Sequence, residues 1–224
     1  MLEITSSWKS VYPGAVVGIL VMHDVANPEH HPELEKQKAI LEDQLRDRYF
    51  NLDRGTLERL PEIEAYQTYY RSFKKTYHLL LQLESVVFKH KPIPHVAALV
   101  EAVFMAELQD LLLTAGHGLE TVQVPIRLDV ARGNELYTAL RGEEQILKQG
   151  DMFIADTLGV ISSVIYGPDL RTSIKPGTRS VLFTTYAPAG IGEEAVHRHL
   201  QNIRSNVLII SPNAETESLE LYSA

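Results

Sequence analysis

The residue whose type and setting best suit chemistry is a histidine between two glycines, His117 in the run GHG at 116–118. An imidazole exchanges a proton near neutral pH, and the flanking glycines let the backbone and a ligand approach each other closely. The run follows a long apolar segment, which leaves an alternative open: His117 caps the C-terminal end of a helix. The periodicity of the apolar residues before it, taken alone, favours the interpretation of His117 as a helix cap.

A carboxylate supplies the second candidate, in the segment YGPDLRT at 166–172. Gly-Pro-Asp is typical of a turn, in which Asp169 either hydrogen-bonds its own backbone or is presented from a loop beside a pocket. Arg171 is near enough in sequence to pair with it at the surface. If these residues form a site, we expect His117 and Asp169 to line one solvent-accessible cavity.

Other catalytic signatures are missing from the sequence. The chain has no cysteine, which excludes disulfides, thiolate metal sites and a catalytic thiol. Glycine-rich phosphate loops, a nucleophilic-serine elbow and a His-Glu-x-x-His motif do not occur either. The histidines cluster as His30 with His31 and as His197 with His199, and residues two apart on a helix do not face the same way. We therefore predict neither a metal nor a cofactor.

Composition and charge restrict the class of protein. The chain has 224 residues, of which 45% are hydrophobic and 22% charged, as in an ordered globular domain. The net charge of −8 does not suit the clamping of a long nucleic-acid backbone, and we expect no DNA partner. No stretch approaches the roughly 20 apolar residues that cross a bilayer. We therefore expect no membrane partner and a cytoplasmic location.

One region is locally basic and also rich in tyrosine. Lys74, Lys75, Lys89 and Lys91 are the side chains that we would assign to an RNA contact, although a solvated helix face accounts for the same charges. Residues 66, 69, 70, 73 and 77 share one face of a helix predicted over about 61–77, and four of them are tyrosines. We favour packing of this stripe on a sheet, with each hydroxyl reaching a surface partner, over a platform for stacked bases.

The remaining pattern predicts the elements that position these residues. A strand at 14–23 precedes a helix from Pro32, whose Leu34, Lys38, Leu41 and Leu45 lie on one face. Residues 79–87 continue as a helix, and 95–113 form a long apolar helix that ends in a glycine turn at 114–118.

Beyond that turn the period changes to two, which is typical of strands. Strands are expected at 122–130, 134–140, 151–156, 159–166 and 180–186, then a helix at 193–204 and strands at 207–210 and 218–222. The first two of these strands form a hairpin. The order predicts a single α+β domain, in which a helical N-terminal half packs on a mixed, largely antiparallel, β-rich C-terminal half.

Together these segments resemble the tRNA-binding and editing domain of the phenylalanyl-tRNA synthetase beta subunit. The resemblance is strongest over residues 93–186 and rests on the order and spacing of short runs. These are IPHVAALVE at 93–101, GHGLE at 116–120, IRLDVA at 126–131, FIAD at 153–156, VIYGPD at 164–169 and PGT at 176–178. The resemblance implies that the whole chain, residues 1–224, is a stand-alone version of that domain without synthetase activity.

In the synthetase this domain hydrolyses tyrosine wrongly attached to the phenylalanine tRNA. The resemblance implies a mechanism without a metal, in which a held water attacks the aminoacyl ester. It carries over site residues by motif position: His117 and Asp169 as catalytic residues, with Glu101, Gly116, Gly167 and Thr172 as substrate contacts.

Two functions remain open at this point. The first is an aminoacyl-tRNA deacylase that hydrolyses the ester of a mischarged tRNA, which the retained His117 and Asp169 favour. The second is a non-catalytic module that binds RNA or a small amino-acid-like ligand in the same pocket, which the net charge of −8 favours. A purely structural interaction protein comes third.

Overall fold

Helices dominate the first half of the chain and strands the second in the computed structural model, which describes residues 2–224. The helices are α1 (Ser6–Val11), α2 (Pro32–Tyr49), α3 (Arg54–Leu57), α4 (Pro61–Ser72), α5 (His78–Val87), α6 (Ala98–Asp110) and α7 (Glu193–Ile210). The strands are β1 (Leu2–Ile4), β2 (Val16–His23), β3 (Thr114–Gly118), β4 (Ile126–Val130), β5 (Leu136–Thr138), β6 (Glu144–Ile146), β7 (Met152–Asp156), β8 (Gly159–Ser163), β9 (Gly167–Pro168), β10 (Val181–Ala187) and β11 (Glu215–Ser223). The predicted α+β class is confirmed. Among the helices within residues 2–224, none has both the length and the hydropathy that a membrane-spanning segment requires.

Two sheets and a small hairpin organise the strands. In the five-stranded sheet, β1-β4-β7-β8-β9, β1 is parallel to β4 and the other neighbours are antiparallel. The four-stranded sheet, β11-β2-β10-β3, is antiparallel. The mixed, largely antiparallel arrangement is therefore confirmed. The hairpin predicted from 122–130 and 134–140 is wrong, because β4 pairs with β1 and β7 while β5 pairs with β6.

Helix α7 covers the four-stranded sheet. Its buried residues recur at 196, 199, 200, 203, 207 and 210, which is the spacing of one helix face. Where α7 crosses β2, only glycine fits at Gly18, because a Cβ there would lie 2.6 Å from Val196 Cγ1. The strand predicted at 207–210 is wrong, since Val207 and Ile210 continue the buried face of the helix.

Helix α2 packs as predicted. The ring Nδ1 of His31 accepts a hydrogen bond from the Leu34 amide at the start of the helix. The predicted inner face is buried at Leu34, Lys38, Leu41 and Leu45. The helical spacing of these residues was therefore a sound guide to the surface that faces the core.

The tyrosine stripe is buried inside the molecule. Tyr66, Tyr69, Tyr70 and Tyr77 are at most 6% exposed, and the rings of Tyr66 and Tyr77 stack with centroids 4.8 Å apart. Packing is confirmed, and the burial leaves no platform for bases. The helix ends at Ser72, earlier than predicted, and Tyr77 reaches the same cluster from the start of α5.

The tyrosine hydroxyls bond interior partners and not the surface partners that we predicted. The Tyr66 hydroxyl donates to the Tyr186 carbonyl in β10 and accepts from the Leu113 amide, 2.9 Å away, just before β3. The Tyr69 hydroxyl accepts from the Met152 amide, 2.7 Å away, at the start of β7. Helix α4 thus joins the four-stranded sheet to the five-stranded sheet.

Removal of the Tyr66 hydroxyl tests this connection. Tyr66→Phe leaves the Tyr186 carbonyl and the Leu113 amide without a buried partner, so the free energy of unfolding should fall by about 1–3 kcal/mol. Tyr49→Phe is the matched control, because Tyr49 is buried on α2 but lies outside the stripe. Urea denaturation measures both variants. Equal losses in the two would contradict a specific role for the Tyr66 hydroxyl.

Candidate functional site

Two adjoining cavities form a cleft between α6, β3 and the segment around β9. One encloses about 380 Å³ and the other about 360 Å³, and they share Glu107, Thr114 and Pro168. We call them the apolar lobe and the polar lobe, after the side chains that line them. Cavities of this size are typical of small-ligand sites.

One face of α6 forms a wall of the apolar lobe. Val100, Val103, Phe104 and Glu107 follow the i, i+3, i+4, i+7 spacing of a helix face and line the lobe together with Ile174. Val100 is 40% exposed, so this apolar wall is accessible to solvent. An apolar ligand group placed here would remove both surfaces from water, which is favourable.

The polar lobe is lined by side chains from both sheets. Ser163 lies in β8, Tyr166 and Gly167 follow it, and Tyr186 lies in β10. The Lys75 ammonium lies over the Tyr166 ring, 5.1 Å from its centroid, in a cation–π contact. A positive charge is therefore held beside this lobe.

Glu107 stands where the two lobes meet. Its Oε1 accepts a hydrogen bond of 2.7 Å from the Thr114 amide. The residue is half-buried, and the desolvation of its carboxyl raises the pKa of Glu107 to about 8; the hydrogen bond offsets only part of this effect. A carboxyl that titrates near neutral pH can exchange a proton or change its charge when a cation binds. Glu107 was not among the predicted site residues, although its spacing from Val100 and Phe104 places it on the same helix face.

A left-handed leucine, and not a glycine turn, ends α6. Leu111 has a φ of 61°, a conformation that costs a non-glycine residue about 1–2 kcal/mol. The Tyr77 hydroxyl donates to the Leu111 carbonyl at 3.0 Å and holds the turn. The glycine turn predicted at 114–118 is wrong, since these residues form β3. His117 therefore lies in a strand and does not cap a helix.

His117, Thr172 and Asp169 form one buried chain of hydrogen bonds. The Thr172 hydroxyl donates to Asp169 Oδ1, so it accepts from His117 Nδ1, which is 2.7 Å away. The imidazole proton is therefore on Nδ1. Asp169 also accepts from the Thr172 amide at 3.1 Å, which is the backbone-bonding alternative for the Gly-Pro-Asp turn. The predicted pair is brought together through one hydroxyl.

Both members of this pair are enclosed. His117 is 0% exposed and Asp169 is 3% exposed, and neither lines the cleft. The expected solvent-accessible cavity is wrong, because the Thr172 segment bonds to β3 at the Gly118 amide and covers the imidazole. Burial, together with the charge of Arg171, lowers the pKa of His117 to about 3, so the ring is neutral at physiological pH. A catalytic role for the pair stays a prediction.

Arg171 fixes the segment that carries this chain. Its two terminal nitrogens bond the Asp156 carboxylate at 2.9 Å, and one of them also donates to the Thr121 carbonyl at 2.9 Å. The surface pair with Asp169 that the sequence suggested is longer, at 3.7 Å. The bidentate pair with Asp156 therefore anchors the segment against the five-stranded sheet.

The other predicted site residues divide into two groups. Gly116 borders the apolar lobe and Gly167 borders the polar lobe. Glu101 is buried and pairs with Lys38 at 2.9 Å, outside both lobes, and Thr172 belongs to the buried chain. The lysines assigned to RNA, Lys74, Lys75, Lys89 and Lys91, are all exposed, and Lys75 contacts a residue of the cleft.

Comparison with known proteins bears on the fold. No family model matches the chain, and no curated protein matches it significantly. The chain is similar to the crystal structure of an N-terminal fragment of the phenylalanyl-tRNA synthetase beta-subunit from Pyrococcus horikoshii, with a TM-score of 0.51 and 11% sequence identity. The fold is shared. The match covers 100% of this chain and 54% of that one, so the chain spans about half the length of the fragment.

The raised pKa of Glu107 predicts a specific dependence of stability on pH. Between the ordinary glutamate value of 4.5 and about 8, the folded protein keeps a proton that the unfolded chain has lost. Stability from this group therefore falls as pH rises through that window. Glu107→Gln removes this dependence, so its unfolding free energy should decline less than that of the native protein from about pH 5 to about pH 8. Urea denaturation at both pH values measures the difference; identical changes would contradict the assignment.

Proposed function

We propose that the cleft binds the aminoacylated end of a tRNA, with the amino-acid side chain in the apolar lobe and the amino group and ester in the polar lobe. The observation that carries this proposal is the meeting of the two lobes at one carboxyl, Glu107. An amino acid esterified to RNA has the matching layout, because its side chain and its ammonium diverge from one carbon. The fold shared with a synthetase beta-subunit fragment supports an RNA-linked ligand.

The apolar lobe suits an apolar or aromatic side chain. Its volume of about 380 Å³ and its lining by Val100, Val103, Phe104 and Ile174 favour a group that gains by leaving water. Gly116 borders the same lobe, and a Cβ at that position would lie 2.8 Å from Ile174 Cδ1. The missing side chain at Gly116 therefore preserves the close approach of β3 to the segment that carries Ile174.

Glu107 suits the ammonium group of the ligand. The burial that raises the pKa of its carboxyl makes an unpaired negative charge unfavourable there, and an incoming ammonium would compensate that charge. The Thr114 hydroxyl is already paired with Thr185 and His199. His78 and Tyr166 also line the polar lobe and carry side-chain groups able to hydrogen-bond an ester. By recognising the amino group, the protein would discriminate an aminoacyl ligand from a simple fatty or aromatic acid.

Lys75 is placed to contact the RNA part of the ligand. The chain as a whole carries a charge of −8, so any phosphate contact must be local. The Lys75 ammonium lies over Tyr166, a residue of the polar lobe, while Lys74 is exposed next to it. A phosphate or a terminal base of the RNA would meet this charge at the edge of the lobe that holds the ester.

Hydrolysis of the ester is the second candidate function, and the pKa of about 8 at Glu107 favours it. A carboxyl that titrates near the working pH can take a proton from an attacking water, a role that typically contributes about 10²–10⁴-fold in rate. In this candidate the ammonium binds elsewhere in the polar lobe. His117 and Asp169 act as positioning residues, because they hold β3 and the Thr172 segment together behind the cleft.

A panel of aminoacyl-tRNAs, together with the matching uncharged tRNAs, tests the two functions. A binding module retains charged over uncharged tRNA without release of the amino acid, and Glu107→Gln weakens that preference. A deacylase releases the amino acid, and Glu107→Gln slows release by about 10²-fold or more. No preference for charged tRNA and no release would contradict the proposal.

His117→Ala and Asp169→Ala should impair stability and binding together. Slower release of the amino acid with unchanged binding of the tRNA would instead support their assignment as catalytic residues.

The apolar lobe can be filled without disturbing the core. Val100 is 40% exposed, so Val100→Trp should fold while its indole occupies the lobe and weakens ligand binding by about tenfold or more, or about 1.4 kcal/mol. Val11→Trp is the matched control, because Val11 is 52% exposed on α1 and outside the cleft. Filter binding with an aminoacyl-tRNA that the native protein retains measures both. Unchanged affinity in Val100→Trp would place the ligand elsewhere.

A further inference from the structure

Three groups that bind metals in proteins converge outside the cleft. His30 precedes α2, Glu35 lies in its first turn, and His95 lies between α5 and α6. One ligand atom from each of these residues lies within 4.8 Å of the other two. The residues are up to 65 positions apart in sequence, so the fold, and not local spacing, brings them together.

The two imidazoles face each other at the surface. Their ring centroids are 5.8 Å apart in an edge-on arrangement, and both side chains are exposed. His95 Nδ1 is 3.2 Å from Glu35 Oε1. The neighbouring His31 is occupied, since its Nδ1 accepts from the Leu34 amide. Of the adjacent histidines at 30 and 31, His30 is therefore the one whose two ring nitrogens both lack a hydrogen-bond partner among residues 2–224.

A buried carboxylate orients His95. Glu101 is 1% exposed, and its Oε1 lies 2.8 Å from His95 Nδ1 and accepts from the Val96 amide at 2.8 Å. Metal-binding histidines typically donate one ring N–H to such a carboxylate, which fixes the tautomer and makes the other nitrogen a better ligand. Because Nδ1 faces both Glu101 and Glu35, the nitrogen of His95 that is left for an ion is Nε2.

The local charge also favours a cation. The Lys38 ammonium is 2.8 Å from Glu35 Oε1 and 2.9 Å from Glu101 Oε2. Two carboxylates against one ammonium leave one negative charge in surplus beside two imidazoles. A divalent ion would therefore meet a carboxylate, two imidazole rings and a favourable field.

We propose that His30, Glu35 and His95 bind a divalent transition-metal ion of the Zn²⁺ type, with Glu101 as the positioning carboxylate and a water in the fourth position. Bonds of about 2.0–2.2 Å in a tetrahedral site require ligand atoms about 3.4 Å apart. The three ligand atoms lie within 4.8 Å of one another, so they must move closer together when the ion binds. The argument for this site does not rest on the aminoacyl-binding proposal, because none of its three ligands lines the cleft.

The bound metal would stabilise one wall of the apolar lobe. His95 is flanked by Pro94 and Val96, and both of these residues line that lobe. An ion held by His30, Glu35 and His95 would tie this segment to the start of α2. Metal binding should therefore raise the thermal stability of the full chain, because the folded state alone assembles the three ligands.

The test uses the untagged, chelator-treated protein and titration with ZnCl₂ against a competing chromogenic chelator. We expect one tightly bound equivalent, and about tenfold or greater weakening in each of His30→Ala, His95→Ala and Glu35→Gln. Titration with Co²⁺ should produce the visible bands of a tetrahedral site in the native protein but not in His30→Ala or His95→Ala. His197→Ala is the matched control, since His197 is an exposed histidine on α7, and it should bind as the native protein does.

Circular dichroism and the metal-free melting temperature of each variant establish that it folds. Zn²⁺ should raise the melting temperature of the native protein and of His197→Ala, but not of His30→Ala or His95→Ala. Unchanged affinity in the His30 and His95 variants, or failure of the native protein to bind Zn²⁺ against the chelator, would overturn the proposal. Neither result would alter the aminoacyl-tRNA experiment.

Discussion

The arrangement of both sheets depends on the hydrogen bonds that buried tyrosine hydroxyls make in the interior. A buried hydroxyl or backbone group that lacks a partner costs about 1–3 kcal/mol, so each ring holds the strand to which it bonds. Tyr66 bonds at the junction of β10 and β3, and Tyr69 bonds at the start of β7. Tyr70 donates to the Val164 carbonyl after β8 at 2.9 Å. One helix face thus fixes the spacing of two sheets, and the cleft lies where their strands β3 and β9 approach.

The walls of the cleft are set by contacts that are remote in sequence. The left-handed turn at Leu111 directs the chain from α6 into β3, and Tyr77, just before α5, donates a hydrogen bond that holds this turn. On the other side, Arg171 holds the segment after β9 to Asp156. Glu107 lies between these fixed walls, so the burial that raises the pKa of its carboxyl is a consequence of the architecture.

Helices that bury only one face were predictable from the sequence. The inner face of α2 and the tyrosines of α4, Tyr66, Tyr69 and Tyr70, follow helical spacing, which a single sequence displays. The end of α6 was not predictable in the same way, because Leu111 occupies a conformation for which glycine is the usual signal. The partner of His117 lies at Thr172, 55 residues away, and no spacing rule reports that such a pair is sealed. Candidate site residues could therefore be named from the sequence, but their access to solvent could not.

The chemistry open to the cleft depends on the charge of one carboxyl. His117 is neutral and its Nε2 has no hydrogen-bond partner within residues 2–224, so a step through it requires the Thr172 segment to move first. Glu107 needs no such movement, but its two candidate roles compete. An ammonium bound to Glu107 stabilises the carboxylate and lowers its pKa, which makes it a weaker base for an attacking water. A protein that recognises the amino group through Glu107 is therefore a binding module, and a deacylase must hold that group elsewhere.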